Sequence, residues 1–545
     1  MAKVRCLIFL LLVFAACTCR SPTIIDAGPD ADWLAGRVVQ LPGTPKDGGT
    51  LTVRLPIEPT GLTRLHDRFN EGTMTRITVG PIYETLAKVN DGQLTPLLAQ
   101  SWIESDDHLT LTIALRSEVH FHDGTLLTSA DLKATLAAIF DSKNATTGLR
   151  GSLETLESVL APDPNTVVIH WKRPWFLATR TLLGAVPVLP AHALEGDFDS
   201  LPLHRAPIGT GPFRFLKWDA GTSLTYVRNE AYWGKRAHLD QVIFRFVKDD
   251  TAAIAAWERG EFDLITRLSP TAWRGAESNP KLWADYQRVF FPENTYVWLG
   301  FNQRKEPFSD VRVRRALGLL FPMELVEKSV DLGLEPRTTC PSLPESKSCD
   351  PSVKPLSFDP GAARKLLGEA GWADTDADGV IDRKGERLSF AFLAAAQSPK
   401  MARLLPLYLD TLKQAGVEAR IENVDVSGYM SRVRAHDFDA MALSWSNADS
   451  VQDNFQIFHS SQIEEGSNYV GYTSPEVDQL LVQIRSEFEV DKRNALERQV
   501  HRRVYEEQAY LFLGRRPALD AFKRKVRGLQ PSLGWYDLSA VWIAD

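Results

Sequence analysis

No long block of Lys or Arg interrupts this sequence: 62 basic residues stand against 69 acidic ones in 545, for a net charge of -7. A nucleic-acid binder needs a concentrated positive footprint to displace counterions from phosphates, so that class is set aside. Beyond the first residues no apolar run reaches the ~20 residues that cross a bilayer as a helix, and the body of the chain is predicted to be soluble. There is no GxSxG elbow, no HExxH helix, no Walker sequence and no Cys-centred catalytic signature, and the carboxylates show no pairing that singles out an acid and a base. The expectation is a protein without chemistry of its own. A hydrolase stays as the rival class, which turnover of a bound peptide or glycoside would reveal.

What is present is an ordinary globular composition, 44% hydrophobic, 24% charged and 10% aromatic. At ~150 residues per domain the length predicts about three or four units, each able to bury a core. Lys3 and Arg5 precede the apolar residues 7–16, a stretch too short to span a membrane and of signal-peptide form. It ends in Phe14-Ala15-Ala16-Cys17, which resembles the lipobox at which bacterial lipoproteins are cut, with phenylalanine where leucine is usual. Residues 1–17 are therefore expected to be a lipoprotein signal with Cys17 lipidated; a plain secretory signal, with Cys17 incidental and Cys19 nearby, is the alternative. Residues 18–47, rich in Pro, Gly, Asp and Ala, are expected to be a flexible tether.

Of the remaining cysteines, Cys340 and Cys349 share a Pro/Ser-rich loop, TTCPSLPESKSC, and are expected to close a disulfide in an oxidising compartment. A metal pair would need further Cys or His ligands. Strand patterns occur at 49–54, 109–115, 119–122, 167–171, 242–247, 295–301 and 388–393, and helical ones at 132–140, 251–259, 311–320, 360–370, 400–415, 474–488 and 491–508. Such alternation predicts α/β lobes.

Three motifs carry possible chemistry. Gly209-Thr210-Gly211-Pro212-Phe213 lacks the Lys-Ser/Thr ending of a phosphate loop and is expected to be a tight turn entering a strand. His120 and His122 fall on one face of a predicted strand, but without further ligands nearby a structural role is expected. Asp374, Asp376, Asp378 and Asp382, with Gly379, resemble the opening of a calcium loop whose bidentate position is Gly385, so any calcium there would be structural.

Scattered phrases resemble one family. Pro96 to Trp102 (PLLAQSW), Phe121 to Thr125 (FHDGT) and Ser129 to Leu132 (SADL) are followed by Gly209 to Phe213 (GTGPF), Asn229 to Trp233 (NEAYW), Gly260 to Asp263 (GEFD), Phe301-Asn302, Pro307 to Arg312 (PFSDVR) and Ala363 to Trp372 (ARKLLGEAGW). In that order over nearly the whole chain they are similar to the family 5 extracellular solute-binding proteins, which include dipeptide, oligopeptide and nickel receptors of ABC importers.

The resemblance implies an α/β, type II periplasmic-binding-protein-like fold of two lobes with a hinge and an extra inserted subdomain in the first lobe. Lobe I would comprise 48–84, 206–294 and 507–545, the inserted subdomain 85–205, and lobe II 295–506. A solute, a peptide first of all, would be held in the interlobe cleft. Its partners would be an ABC permease and its ATPase subunits, with the receptor a monomer in the periplasm on its lipid anchor and no cofactor needed. Ligand residues implied by position are Trp445, Asn447, Asp449, Asn468, Tyr469 and Glu71. In peptide-binding relatives an Asp three residues after the Trp pairs with the α-ammonium; that place is Ala448 here, and Asp449 lies one step on. An oligosaccharide or metal-chelate ligand is thereby kept open, as is a surface sensor or scaffold.

Overall fold

The computed structural model describes residues 43–67, 77–90, 92–343, 346–396, 398–446, 451–464, 466–529, 531–532 and 535–545. Alternating apolar residues after residue 48 form the strand β1 (Thr50–Leu55), which sinks Leu51, Val53 and Leu55 into a core. Around it runs one mixed sheet with β2 (Phe213–Asp219), β3 (Ser223–Arg228), β4 (Gln241–Phe246), β5 (Leu264–Ile265), β6 (Tyr286–Phe301), β7 (Ser389–Ala395), β8 (Glu418–Val424), β9 (Ala440–Ser446) and β10 (Leu511–Lys523). Their order is β8-β7-β9-β6-β10-β5-β1-β4-β3-β2. β1 is parallel to β4 and β5, β5 is antiparallel to β10, and β10 is antiparallel to β6. β1, β4, β5 and β6 therefore all point the same way, toward the second lobe.

Two strands belong to both lobes. Residues 286–292 of β6 pair with 517–523 of β10, whereas Thr295 to Phe301 pair with β9. The register between β6 and β10 breaks on either side of Tyr296, and Pro292 faces Pro517. Neither proline can donate a ladder hydrogen bond, so the sheet is weakest where it passes between lobes. On one side a core forms around Leu51, Val53, Phe244 and Phe522; on the other, separate cores form around Leu317, Phe392 and Tyr408 and around Trp298, Tyr472 and Tyr510.

The chain between β1 and β2 builds a second, antiparallel sheet in the order Ala99–Glu104, Thr110–Leu115, Thr166–Trp171, Leu156–Asp163. The helix Ser129–Phe140 covers it, started by Asp131, whose carboxylate accepts the Thr128 N–H at 2.7 Å. The GTGPF turn seats this part against the main sheet. The Gly211 N–H donates to the Ile82 carbonyl at 2.9 Å, and a Cβ on Gly209 would lie 2.1 Å from that oxygen. Tyr232 and Trp233 donate to the buried carboxylate of Glu84 at 2.6 and 2.9 Å.

Most predicted helices recur within a residue or two, as Asp250–Glu258, Val311–Leu319, Pro360–Glu369, Pro399–Gln414, Pro475–Ser486 and Val490–Glu506. Three differences have physical causes. The predicted strand at 119–122 is reduced to a single bridge between His120 and Leu126, because Asp123-Gly124 turns the chain at once. β6 begins at Tyr286 and not near 295, and β10 went unpredicted. Both carry a proline in mid-strand, and partners on each side hold them extended against that local preference.

Candidate functional site

The candidate site begins where β6 passes between lobes. Trp445, near the end of β9, stands opposite Tyr296 of β6, and Leu443 opposite Trp298. Trp298 and Tyr510 are fully buried and stack at 3.7 Å with an 11° tilt. Trp445 is half-buried, lies nearly parallel to Trp298 at 6.2 Å and to Tyr469 at 5.9 Å, and its indole N–H donates to the Tyr510 hydroxyl at 3.4 Å. These offset rings make a ladder from core to surface that fixes the plane of Trp445. Such a plane can cover an apolar side chain or a sugar face.

Tyr469 is half-buried, and its carbonyl accepts from His436 Nδ1 at 2.8 Å. Asn468 has no exposed surface. Its amide donates to the Tyr472 carbonyl at 2.8 Å and the His459 carbonyl at 3.2 Å, and accepts the Tyr472 N–H at 2.9 Å. In this structure Asn468 shapes the loop that presents Tyr469.

The floor of the crossing is polar and buried. Glu293 and Asn294 are buried, and Glu293 pairs with Arg267. Gln452 reaches back from the second lobe to donate to Asn294 Oδ1 at 3.2 Å. Beneath them Asp520 accepts the Arg267 N–H at 2.7 Å and the Tyr536 hydroxyl at 2.8 Å, and burial pushes its carboxyl up to about 6.

A second bridge joins the inserted subdomain to the second lobe. Arg485, at the end of the helix Pro475–Ser486, binds Asp453 at 2.6 Å and Glu154 at 2.7 Å, between the rings of Trp175 and Phe455. The Phe176 N–H donates to the Arg485 carbonyl at 3.0 Å, and His108 stacks on Phe488 at 3.5 Å. Nothing in the sequence marked this set. Trp298, Tyr510 and Arg485 read as core or surface residues until strand register and lobe packing bring them together.

Asn447, Asp449, Glu71, Cys17 and Cys19 lie outside the described residues. Cys340 and Cys349 are joined, with S–S 2.09 Å. Asp374, Asp376 and Asp378 bring carboxylate oxygens within 4.8 Å of one another, all exposed. Asp382 stands apart from them, accepting the Thr375 N–H and hydroxyl at 3.0 and 2.7 Å. Asp378 is paired with Arg387. His120 points to solvent, while His122 donates to the Gly211 carbonyl at 3.0 Å and accepts the Gly209 N–H at 3.2 Å, which makes it a staple of the GTGPF turn. Among the described residues no helix is long and apolar enough to cross a membrane.

Residues 93–465 match the family described as bacterial extracellular solute-binding proteins, family 5 middle. The oligopeptide-binding protein AppA of Bacillus subtilis is 29% identical over 517 residues, covering 92% of this chain and 93% of that protein. The solved structure of AppA in complex with a nonapeptide superposes with a TM-score of 0.81, at 27% identity, covering 92% of this chain and all of that one. NikA from Brucella suis, solved with Fe(III)-EDTA, gives a TM-score of 0.80 at 22% identity over 91% of this chain and 100% of that chain, a likeness of fold alone.

Proposed function

The chain belongs to the bacterial extracellular solute-binding proteins of family 5, and from that membership we propose that it captures a peptide between its two lobes and delivers it to an ABC permease with its ATPase subunits. The observation that carries the reading is the likeness, over nearly the full length of both chains, to a protein whose solved complex holds a nonapeptide. The ring ladder ending at Trp445 supports it, since a fixed aromatic plane beside the crossing gives apolar peptide side chains a surface to bury. In this reading the lobes divide at 48–84, 206–294 and 507–545 against 295–506, with 85–205 inserted in the first. The hinge lies at Pro292 to Tyr296 of β6 and Arg515 to Pro517 of β10.

The basic-then-apolar start and Cys17 support a lipid-anchored receptor of the cell envelope. It works as a monomer without a cofactor and does no chemistry on its solute. Trp445, Tyr469 and, one place past the expected register, Asp449 would meet the peptide. Asn447 and Glu71 would line the same cleft.

Native mass spectrometry of protein purified from its own cells tests the reading. A co-purifying peptide supports it; an empty cleft with a tightly bound partner protein would point to a scaffold. As a site test, Trp445→Ala should weaken binding of the recovered peptide by about tenfold or more, the loss of one stacked ring. Unchanged affinity removes Trp445 from the site.

A further inference from the structure

One turn of the second lobe is seated in the first. The helix Met323–Ser329 ends where the Asp331 and Gly333 N–H groups return to the Val326 and Glu327 carbonyls, each at 3.0 Å. Leu332 and Gly333 both lie in the left-handed region, at φ 54° and 72°, so the chain reverses at once. Leu334, 3% exposed, then packs into the first-lobe cluster of Trp257, Trp273 and Leu519. From the helix Pro270–Glu277 of that lobe, Arg274 donates to the Leu332 carbonyl at 2.9 Å. Arg403 of the second lobe reaches the same helix, donating to the Thr271 hydroxyl at 2.6 Å.

After the turn the chain runs back along β10. Arg337 bridges Gly514, and the Arg515 N–H donates to the Pro336 carbonyl at 2.9 Å. Residues 331–337 therefore form a finger hooked into the first lobe beside the place where β6 and β10 cross.

The base of the finger holds an unequal set of charges. Lys400, in the first turn of the helix Pro399–Gln414, pairs with Asp331 at 2.7 Å and with Glu335. The three side chains are 13%, 7% and 5% exposed, so two carboxylates share one ammonium away from water. The charged groups of the surrounding elements are engaged elsewhere. Glu327 pairs with Arg337, Arg274 pairs with Glu277 at 2.7 Å, Arg403 also donates to the Ser329 carbonyl, and Arg515 turns to the Cys340 and Ser342 carbonyls. One negative charge is left over, and holding it out of water is costly. Burial pushes the Asp331 carboxyl up to about 6, against the pull of Lys400 and with the repulsion of Glu335 added.

A single proton removes the surplus charge and lets the finger stay seated. Without that proton, hydration of the pair is favoured, and withdrawing Leu334 from the first lobe opens the way for water.

We propose that residues 331–335 are a proton-operated latch between the lobes, which holds when the carboxylate pair on Lys400 carries one proton and loosens when it carries none. The latch acts on the lobes whatever the solute is, so it goes beyond the peptide reading and stands or falls without it.

The test is small-angle scattering of protein stripped of solute, at pH 7.5 and pH 5.0. Asp331→Asn fixes the uncharged state in nearly the same shape, and Leu334→Ala unhooks the tip without touching a charge. The wild-type radius of gyration should fall in acid, with the ratio of open to closed molecules changing at least about tenfold. A carboxyl near 6 when latched and near 4 when free allows up to about a hundredfold. Asp331→Asn should show the smaller radius at both pH values, and Leu334→Ala the larger radius at both. Should either variant fail to fold, Glu335→Gln or Arg274→Gln replaces it with the same expectation. A wild-type radius equal at the two pH values overturns the latch. So does an acid response that survives in Asp331→Asn, which would belong to another group such as Asp520, or one that survives in Leu334→Ala.

Discussion

His122 carries a pH dependence that can be tested by itself. Burial pushes its imidazole down to about 4, while its ring nitrogens hold the Gly209 and Gly211 backbone. Because the folded value lies below that of the unfolded chain, the unfolded state takes up the proton first. The contribution is whole above about pH 6.5 and is lost as the pH falls toward 4, by up to ~3 kcal/mol. Urea unfolding of the wild type and His122→Asn at pH 7 and pH 4.5 should show the wild type losing more by most of that amount. Equal acid losses would mean that His122 is protonated in the folded turn. At the same scale, the phrases that made the family legible prove to be joints of the fold: Tyr232 and Trp233 grip Glu84, Asp263 accepts the Thr52 N–H at 3.0 Å, and Asn302 donates to the His436 and Phe438 carbonyls.

Two elements hold the molecule beyond its cores. The loop bridged by Cys340 and Cys349 docks on β10 beside the crossing, where buried Arg515 donates to the Cys340 and Ser342 carbonyls and His501 links Thr339 to Asp350. Opening a ring this short should cost about 2–3 kcal/mol on the loop-entropy argument. Denaturant midpoints of the Cys340→Ser/Cys349→Ser variant, compared with the wild type without reductant, measure it. The second element is the helix Pro475–Ser486, whose last turn carries Arg485 into the inserted subdomain. Arg485→Ala would strand Asp453, whose side chain is only 9% exposed, and should cost about 3–5 kcal/mol. Adding Asp453→Asn should restore part of the loss. A double variant no more stable than Arg485→Ala would show that packing against Trp175 and Phe455 matters more than charge.

For the whole molecule, the two shared strands are the mechanical fact. A sheet that continues through β6 and β10 keeps the lobes in register, and the facing Pro292 and Pro517 give it a place to bend. Closure should be driven by contacts the solute makes with both lobes. Scattering should show a smaller radius of gyration when the co-purified solute is added to stripped protein. At about a hundred times its Kd the solute should add ~2.7 kcal/mol of stability. A radius that does not change on binding would mean that the lobes are already fixed by the Arg485 and Gln452 bridges.

The sequence by itself determined the α/β alternation, most helices to within a residue or two, the turn at GTGPF and the family, because periodicity, caps and backbone-forced glycines act over a few neighbouring residues. It left β10 unpredicted, since Gly514, Pro517 and two arginines argue locally against a strand that its partners impose. Trp445 and Tyr469 were named from the sequence, but tertiary structure alone decided what surrounds them in the candidate site. The ladder from Tyr510 through Trp298 to Trp445 exists only in the register of β6 against β9 and β10, and the Arg485 bridge only where an insertion meets the far lobe. Those are relations between residues far apart in the chain, and no local preference encodes a contact that packing must create.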